Sequence, residues 1–352
     1  MNGIAPSPRP RSLRGTLALA FEMSSNPAVA QIKMIALLGG VSFERAASLE
    51  DVREHLEDPQ TVFWVDVLAP GPEDLSALID LFGFHPLAME DVANGSQRPK
   101  VDEYKGHLYG VSYGVARGTQ PNDFHVIELH MFMGRNYLVT LHSEPLLALD
   151  EAQNRWTRGS GMLAEGVGFL VYAVLDAVVD GYFPVVDAME LLIEASEEAM
   201  VRGPTDQQVG ELLDIRRDVL RLRRVVNPMR EAFNTLVRRD RSIFSAGTQV
   251  YFQDVNDHLL RLLDLIEAQR DLVNSALDAS LTIVSNRLNA TMKRLTTVSA
   301  VVGFAAAVFS AWGMNFAVLP AAESGYGFPI VVGGTVFAVL GGMAFGKKRG
   351  WL

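Results

Sequence analysis

Two long apolar segments without a charged residue follow one another near the C-terminal end of this sequence. The first runs from Leu295 to Ala322 and the second from Ser324 to Gly346, with Glu323 between them. A helix needs about 20 mainly apolar residues to cross the hydrocarbon core of a membrane, and each segment is long enough. One such run also fits a buried core helix, but two in succession favour transmembrane helices, at about residues 295–313 and 327–346.

Basic residues lie at the outer end of each apolar segment and are absent from the loop that joins the two segments. Lys293 and Arg294 precede the first segment, Lys347, Lys348 and Arg349 follow the second, and the loop between the segments has no lysine or arginine. Because positively charged flanks stay in the cytoplasm, the pattern predicts a multi-pass protein of the cell (inner) membrane with both termini in the cytoplasm.

Charge and composition argue against several functions. The net charge of −10 disfavours nucleic acid as a partner, since binding phosphates requires a cationic surface. The sequence has no cysteine, which excludes disulfides and thiol catalysis. Its seven histidines show no His-Glu-x-x-His spacing, and no GxxxxGK[ST] loop occurs. We therefore expect neither an enzyme nor a resident cofactor.

The region ahead of the apolar segments consists of three parts with different secondary-structure patterns. Residues 1–34 contain three arginines and a short apolar patch, and we expect a disordered tail. Runs such as TVFWVDVL, HLYGVSYGVA and FHVIELHMFMGRNYLVTLH read as strands, with a hairpin turn at MGRNY in the last, and GPEDLSALIDLFGF reads as a helix. These patterns predict a cytoplasmic α/β domain over residues 35–144. Helical patterns dominate residues 145–294, which we interpret as a helical region and stalk.

One apolar stripe continues from this helical region into the first apolar segment. Between Val255 and Leu295 the apolar side chains recur mostly at steps of three, four and seven, and no glycine or proline falls between Thr248 and Val302. A helix over residues 250–312 would be about 95 Å long. We interpret the stripe as shared among several copies of the chain, because two membrane helices alone cannot enclose a polar path. The alternative is packing within one subunit.

The letters WGMNF at the end of the first apolar segment resemble the Gly-Met-Asn signature of the CorA family of divalent-cation transporters, with Trp312 where the family usually has tyrosine. The segments FHPLAMEDVANGSQRPKVDEY and VYFQDVNDH and the terminal KKRGWL are similar to family segments in the same order. The resemblance extends from about Thr61 onward. It implies a CorA-like funnel, with an α/β cytoplasmic domain, a long helical stalk and two C-terminal transmembrane helices, assembled as a homopentamer in the lipid bilayer.

The resemblance also implies a function, which is uptake of Mg²⁺, and also of Co²⁺ and Ni²⁺, down the membrane potential. Gly313, Met314 and Asn315 would form the selectivity filter. An amide oxygen can bind the waters of a hydrated ion without holding the ion tightly, which suits Mg²⁺ because it loses its waters reluctantly. Mg²⁺ is thus expected as the substrate and also as a regulatory ligand.

Two further sets of residues follow from the same resemblance. Asn289, Met292 and Leu295 would form the pore gate, where a ring of apolar side chains can close a pore by dewetting. A regulatory Mg²⁺ would relieve the repulsion among acids brought together at subunit interfaces. The residues implied for it are Glu90, Asp91, Asp254, Asp257 and His258. The plainer alternatives are helix-packing positions for the gate set and solvated helix faces for the acids.

The sequence departs from the family pattern in two places. The middle of the first span reads VGFAAAV, without the usual proline and threonine, and Glu323 lies farther from the motif than the family's loop acid. Two other functions remain open. One is a zinc transporter of the ZntB type, which usually has valine where this chain has Met314, and the other is a non-conducting membrane cation sensor.

Overall fold

The computed structural model describes residues 30–38, 42–44, 52–53, 56, 58, 61–118, 123–158, 166–201, 205–239, 244–245, 247–314 and 325–350. These residues fall into two compact units. The first unit takes the described residues up to Ala195 together with those of Leu212–Val273. The second unit takes those of Ser196–Glu211 and those from Asn274 onward.

A seven-stranded mixed sheet organises the first unit. In space the strands follow the order β2-β1-β3-β7-β6-β5-β4, in which β3 and β7 are parallel and the other neighbours are antiparallel. A tight turn at residues 134–136 joins β6 to β7, where the sequence predicts a hairpin. In chain order the strands are β1 (Gln31–Leu38), β2 (Ser42–Glu44), β3 (Val62–Leu68), β4 (Lys100–Tyr104), β5 (His107–Arg117), β6 (Phe124–Met133) and β7 (Tyr137–His142).

Strand β1 begins inside the segment predicted as a disordered tail. Residues 31–34 pair with residues 65–68 of β3, and Met34 is buried. The boundary predicted at residue 35 is therefore too late by four residues. The letters QIKM alternate polar and apolar side chains, which is the strand signal that identifies this segment. Residues 1–29 of the predicted tail lie outside the described residues.

Helices cover both faces of the sheet. Leu75 and Leu78 of α1 and Met89 of α2 pack with Phe63 of β3 in one apolar core, while Trp64 on the opposite face of β3 meets Trp156 of α3 edge-on at 6.2 Å between ring centroids. The helices described are α1 (Pro72–Phe82), α2 (Pro86–Asn94), α3 (Leu147–Arg158), α4 (Val167–Asp180), α5 (Phe183–Val201), α6 (Asp206–Arg239), α7 (Thr248–Gly313) and α8 (Gly327–Lys348).

Three helical stretches among the described residues are long and apolar enough to cross a membrane, and their burial separates them. The stretch Val167–Met200 is 72% buried in its apolar window and is interrupted at residues 181–182, so α4 and α5 form part of the core of the protein. The apolar windows of α7 and α8 are 0% and 6% buried. Their apolar side chains face outward, as those of lipid-facing helices do. These are the two C-terminal transmembrane helices that the sequence predicts.

Helix α7 runs for 66 residues, or about 100 Å at 1.5 Å per residue, as the unbroken stripe predicts. The interpretation that the stripe is shared among copies is wrong for its first half, where Leu259, Leu262 and Ile266 are buried within their own chain. Leu281 and Leu288 in the second half are 66% and 61% exposed, and sharing of this half with other copies stays a prediction.

Helices α7 and α8 pack against each other in the second unit. A Cβ placed on Gly342 of α8 would lie 3.5 Å from Val301 Cγ2 of α7. The less exposed positions of both helices recur at helical spacing, and only 13 residues separate the end of α7 from the start of α8, which favours antiparallel packing. On α7 these positions are Thr297, Val301, Ala305, Val308 and Trp312, and on α8 they are Val331, Thr335, Val339, Gly342 and Gly346.

Candidate cation sites

The predicted selectivity residues lie at the end of the first transmembrane helix. Gly313 is the last residue of α7, and Met314 follows it with half of its surface exposed. A Cβ on Gly313 would meet no atom within 4 Å among the described residues. Asn315 lies outside the described residues, and the filter stays a prediction.

The predicted gate residues Asn289, Met292 and Leu295 share one exposed face of α7. Met292 and Leu295 are 59% and 60% exposed. At about 100° per residue the three positions span about 120° and are centred on Met292. The positions of α7 that pack on α8, residues 297–312, are centred about 180° away from this face. If α8 lies on the lipid side of α7, the gate residues point in the opposite direction, toward the space that neighbouring copies would enclose.

The two predicted regulatory acids on α2 differ in exposure and in their bonding partners. Glu90 is exposed, whereas the Asp91 carboxylate accepts a hydrogen bond from Lys100 Nζ at 2.7 Å. The same ammonium lies 2.8 Å from Asp102. Burial acts to lower the pKa of Lys100, but its hydrogen bonds to Asp102 and Asp91 outweigh burial and raise it. A cation that binds Asp91 must therefore compete with a resident ammonium.

The predicted regulatory residues on α7 also differ in exposure and in their contacts. Asp254 and Asp257 are exposed, but the ring of His258 turns toward α4. His258 Nδ1 lies 3.4 Å from Oδ1 of Asp176 and 3.4 Å from Oδ1 of Asp180, and His258 Nε2 lies 3.9 Å from Asp254. His258 is thus brought together with two acids that the sequence analysis did not single out.

Asp176, Asp180 and His258 form a candidate metal centre. Each offers one ligand atom, and these atoms lie within 4.8 Å of one another. Asp176 Oδ1 and His258 Nδ1 are both buried and have no hydrogen-bond partner among the described residues. A carboxylate oxygen and an unprotonated imidazole nitrogen are both lone-pair donors, and a shared cation would satisfy them. The donor set therefore fits a divalent ion.

The charge of this cluster is partly balanced by Arg155 of α3. Its guanidinium contacts the carboxylate of Asp176 and lies 3.4 Å from that of Asp180. The Asp176 side chain is only 4% exposed, so a single Arg against two carboxylates leaves a partly buried site with net negative charge. The sequence does hold a signal for it, because two acids four residues apart interrupt the otherwise apolar helix FLVYAVLDAVVD.

A second buried polar network joins the two central strands β3 and β7. Trp64 Nε1 donates to Thr140 Oγ1 at 3.0 Å, and Thr140 Oγ1 donates to Asp66 at 2.5 Å. His142 Nε2 lies 3.1 Å from the same Asp66 oxygen, and its Nδ1 lies 2.6 Å from the carbonyl of Glu144. Both ring nitrogens face acceptors, so a protonated imidazole can donate to both.

Comparison with known proteins places these features in a wider group. The family model described as CorA-like Mg²⁺ transporter protein matches residues 59–348. The chain is 32% identical over 299 residues to the putative metal ion transporter YfjQ of Bacillus subtilis, covering 85% of this chain and 92% of that one. It is 27% identical over 302 residues to the cobalt/magnesium transport protein CorA of Thermotoga maritima, covering 84% and 85%.

The fold is also similar to that of a solved transporter. The complete CorA magnesium transporter from Methanocaldococcus jannaschii matches with a TM-score of 0.77 at 21% identity, over 91% of this chain and 98% of that one. At this identity the likeness concerns the fold. It confirms the predicted combination of an α/β domain, a long helix and two C-terminal apolar helices.

Proposed function

This chain belongs to the family of CorA-like Mg²⁺ transporter proteins, and we propose that it is a channel for uptake of Mg²⁺, and also of Co²⁺ and Ni²⁺, down the membrane potential. The family match over residues 59–348 carries the proposal, and it makes the chain a membrane transporter of divalent cations. Two charges crossing a potential of about 100 mV release roughly 4.6 kcal/mol, which is a sufficient driving force without ATP.

Several copies of the chain would form the pore. The part of α7 ahead of its charge-free segment exposes a continuous apolar stripe, and exposed apolar surface of this kind marks an interaction site. Its members are Leu281, Val284, Leu288, Met292 and Leu295. A homopentamer in the inner membrane, with both termini in the cytoplasm, accounts for this stripe and for the basic flanks at Lys293 and Lys347.

Selectivity would arise where α7 ends. Gly313 closes the helix, and Met314 and Asn315 follow at the outer boundary of the charge-free segment. A ring of Asn315 amides would accept hydrogen bonds from the waters around Mg²⁺ rather than replace them. Such weak binding lets the ion leave again, as conduction requires.

Gating by Mg²⁺ would act through α7 as well. His258 belongs to the candidate metal centre, and Met292 lies 34 residues further along the same unbroken helix. A bound cation can shift the closed and open states only by binding one of them more tightly. We assign this differential binding to Asp176, Asp180 and His258, together with the exposed acids Glu90, Asp254 and Asp257 and the partly buried Asp91.

Resident cations would set the concentration at which Mg²⁺ acts. Arg155 already occupies Asp176 and Asp180, and Lys100 occupies Asp91. An entering ion must displace these side chains, which lowers its apparent affinity. A site weakened in this way responds to high Mg²⁺ rather than to traces, as a sensor that closes a channel in an already loaded cell requires.

The direct test is Mg²⁺ flux into liposomes that contain the purified full-length protein. We expect Asn315→Ala to abolish selective Mg²⁺ uptake, because the amide ring is lost. The matched control Asn227→Ala removes an exposed amide on α6 and should leave flux unchanged. Unchanged flux in Asn315→Ala contradicts the filter assignment, and absence of flux in the wild type favours a cation sensor. Preferential Zn²⁺ flux that depends on a pH gradient favours the ZntB-type alternative.

A further inference from the structure

Five basic residues gather at one end of the second unit. The contact between Val301 of α7 and Gly342 of α8, in antiparallel packing, brings residues 347–349 to the level of residues 294–296. All five are exposed, and they lie within about two helical turns along the pair of helices. We call this group the basic end, and its members are Lys293, Arg294, Lys347, Lys348 and Arg349.

No ion pair with a carboxylate involves these five cations in the part of the chain that the structure describes. Residues 279–314 and 325–350 contain no Asp or Glu, and the nearest acid on α7 is Asp278, about 22 Å before Lys293 along the helix. None of the ion pairs among the described residues includes a member of the basic end. Arg349 instead lies over the ring of Phe345, with its guanidinium carbon 5.4 Å from the centroid.

The position of the basic end fits lipid headgroups. The charge-free stretches of α7 and α8 begin directly next to it, at Leu295 and Gly346, so the five cations lie where the hydrocarbon ends. Phosphates of the membrane surface are found at this depth. Arg and Lys are the side chains that bind phosphate, and clusters of them next to a membrane span attract anionic lipids.

The direction of the α7 side chains supports the same conclusion. At about 100° per residue, Lys293 and Arg294 are centred about 180° from the face of Met292 and Leu295. They therefore lie on the side of α7 that packs on α8. If the gate residues face the pore, these cations face away from it, toward α8 and the surrounding lipid.

We propose that the basic end binds the headgroup phosphate of an anionic phospholipid in the cytoplasmic leaflet, bridging Lys293 and Arg294 of α7 to residues 347–349. Binding itself does not depend on the ion that the protein carries. Its consequence for gating rests on the proposed function, since a lipid held here lies at the same level of α7 as the gate residues Met292 and Leu295, on the opposite face of the helix.

Lipid binding can be measured on the full-length protein in neutral detergent, titrated with phosphatidylglycerol or with phosphatidylcholine. Bound phospholipid per chain and the melting temperature are the two readouts. Each basic residue near an anionic surface contributes about fivefold to binding, so the triple variant K347Q/K348Q/R349Q should bind phosphatidylglycerol about 100-fold more weakly. The control triple variant R216Q/R224Q/R238Q changes the charge equally on exposed positions of α6 and should bind as the wild type does.

Three outcomes would overturn the proposal. These are equal phosphatidylglycerol binding in both triple variants, equal binding of phosphatidylcholine and phosphatidylglycerol by the wild type, and a melting temperature raised as much by inorganic phosphate as by phosphatidylglycerol. The last outcome would assign the site to a free anion. The second outcome would indicate that acids of another copy cover the basic end. If the triple variant fails to insert, K293Q/R294Q tests the α7 side of the same site.

The lipid assay and the transport assay test the two proposals independently of each other. A protein that binds phosphatidylglycerol but carries no Mg²⁺ would contradict the proposed function and leave the lipid site standing. A protein that carries Mg²⁺ equally well in wild-type and K347Q/K348Q/R349Q form, with no difference in lipid binding, would contradict the lipid site alone.

Discussion

The two halves of α7 have the same sequence texture and different surroundings. Before Val273 the apolar positions are covered by their own chain, and Leu262 and Ile266 have no exposed surface. After residue 280 the same spacing continues, but Leu281 and Leu288 are mostly exposed. The contrast teaches that a helical stripe identifies an apolar face and leaves open whether the covering surface is the same chain, another copy or lipid.

Polar contacts hold the first half of α7 within its own chain. Gln269 Nε2 donates to the carbonyl of Val186 on α5 at 2.7 Å in a buried position. Glu267 pairs with Arg223 of α6 at 3.0 Å. The second half has no such partners among the described residues, because between residues 279 and 314 the chain has no acid and only three basic side chains.

The largest expected effect compares one leucine from each half. Leu262→Ala should lower the free energy of unfolding by about 2–5 kcal/mol, since it leaves a cavity in a packed core. Leu288→Ala should change unfolding by about 0.5 kcal/mol or less, because its side chain is exposed in the single chain, but it should weaken self-association if the proposed pore assembly is right. Thermal melting and the oligomer mass in detergent distinguish the two. Equal destabilisation by both substitutions would contradict the difference in surroundings between the two halves of α7.

The second prediction tests the cation cluster that the first half of α7 contributes to. Arg155→Met should lower the free energy of unfolding without Mg²⁺ by about 3 kcal/mol, because Asp176 loses its buried partner. Added Mg²⁺ should recover more stability in this variant than in the wild type, with half-saturation at a lower concentration.

A matched control for Arg155 lies on the surface of α6. Arg217→Met breaks the exposed pair with Asp214 and should cost about 0.5 kcal/mol or less, with an unchanged Mg²⁺ response. If Mg²⁺ stabilises Arg155→Met no more than Arg217→Met, the cluster is not a cation site.

The third prediction concerns the exposed half. Met292→Ser should raise Mg²⁺ flux at high internal Mg²⁺ several-fold, since a polar ring no longer dewets the pore. Val298→Ser, about 120° from the centre of the gate face, replaces another exposed apolar side chain of α7 and should leave flux within about twofold of the wild type. Equal fluxes in the two variants would remove Met292 from the gate.

The smallest effect is a difference in pH response between the first unit, which contains His142 on β7, and the exposed second half of α7. Burial acts to lower the pKa of His142, but the hydrogen bonds to Asp66 and to the Glu144 carbonyl outweigh it and raise the pKa. A raised folded-state pKa gives stability that is fully present below the unfolded value of about 6.5 and is lost as pH rises through the folded value. Melting temperature should therefore fall with rising pH above about 6.5, and His142→Gln should remove this slope.

A second histidine, His130, limits the pH range in which the effect of His142 on the melting temperature can be measured by itself. Burial lowers the pKa of His130 to about 4. The destabilising effect of His130 therefore decreases as pH rises from about 4 to 6.5 and is absent above that range. Self-association through residues 281–298 should not change between pH 6.5 and 8, because that stretch contains no His, Asp or Glu. A pH-dependent oligomer mass in this range would contradict the assignment of the interface.

Much of the fold follows from local pattern. The strands β3, β5, β6 and β7, the turn at residues 134–136 and the unbroken course of α7 all agree with the sequence predictions. Each depends on period, on turn residues or on the absence of glycine and proline, which act over a few positions. The start of strand β1 has the same kind of signal but falls inside the predicted tail, because only the four residues QIKM carry it.

The candidate metal centre shows where local pattern stops. The family resemblance implies a site that groups His258 with Asp254 and Asp257, yet the His258 ring faces Asp176 and Asp180, about 80 positions earlier in the chain. Which side of α7 meets α4 depends on the packing of the whole core, and so does the approach of Arg155 to the same acids. No spacing within one segment encodes these distances.

The sequence by itself determined that two charge-free helices end the chain, that basic residues flank them and that one helix runs into the first of them without a break. These properties depend on side-chain transfer energies and helix periodicity, which are local. Only the tertiary structure decided which half of α7 is covered by its own chain, which acids share a buried cluster, and which face of α7 lies opposite α8. Those outcomes depend on contacts between segments far apart in the chain.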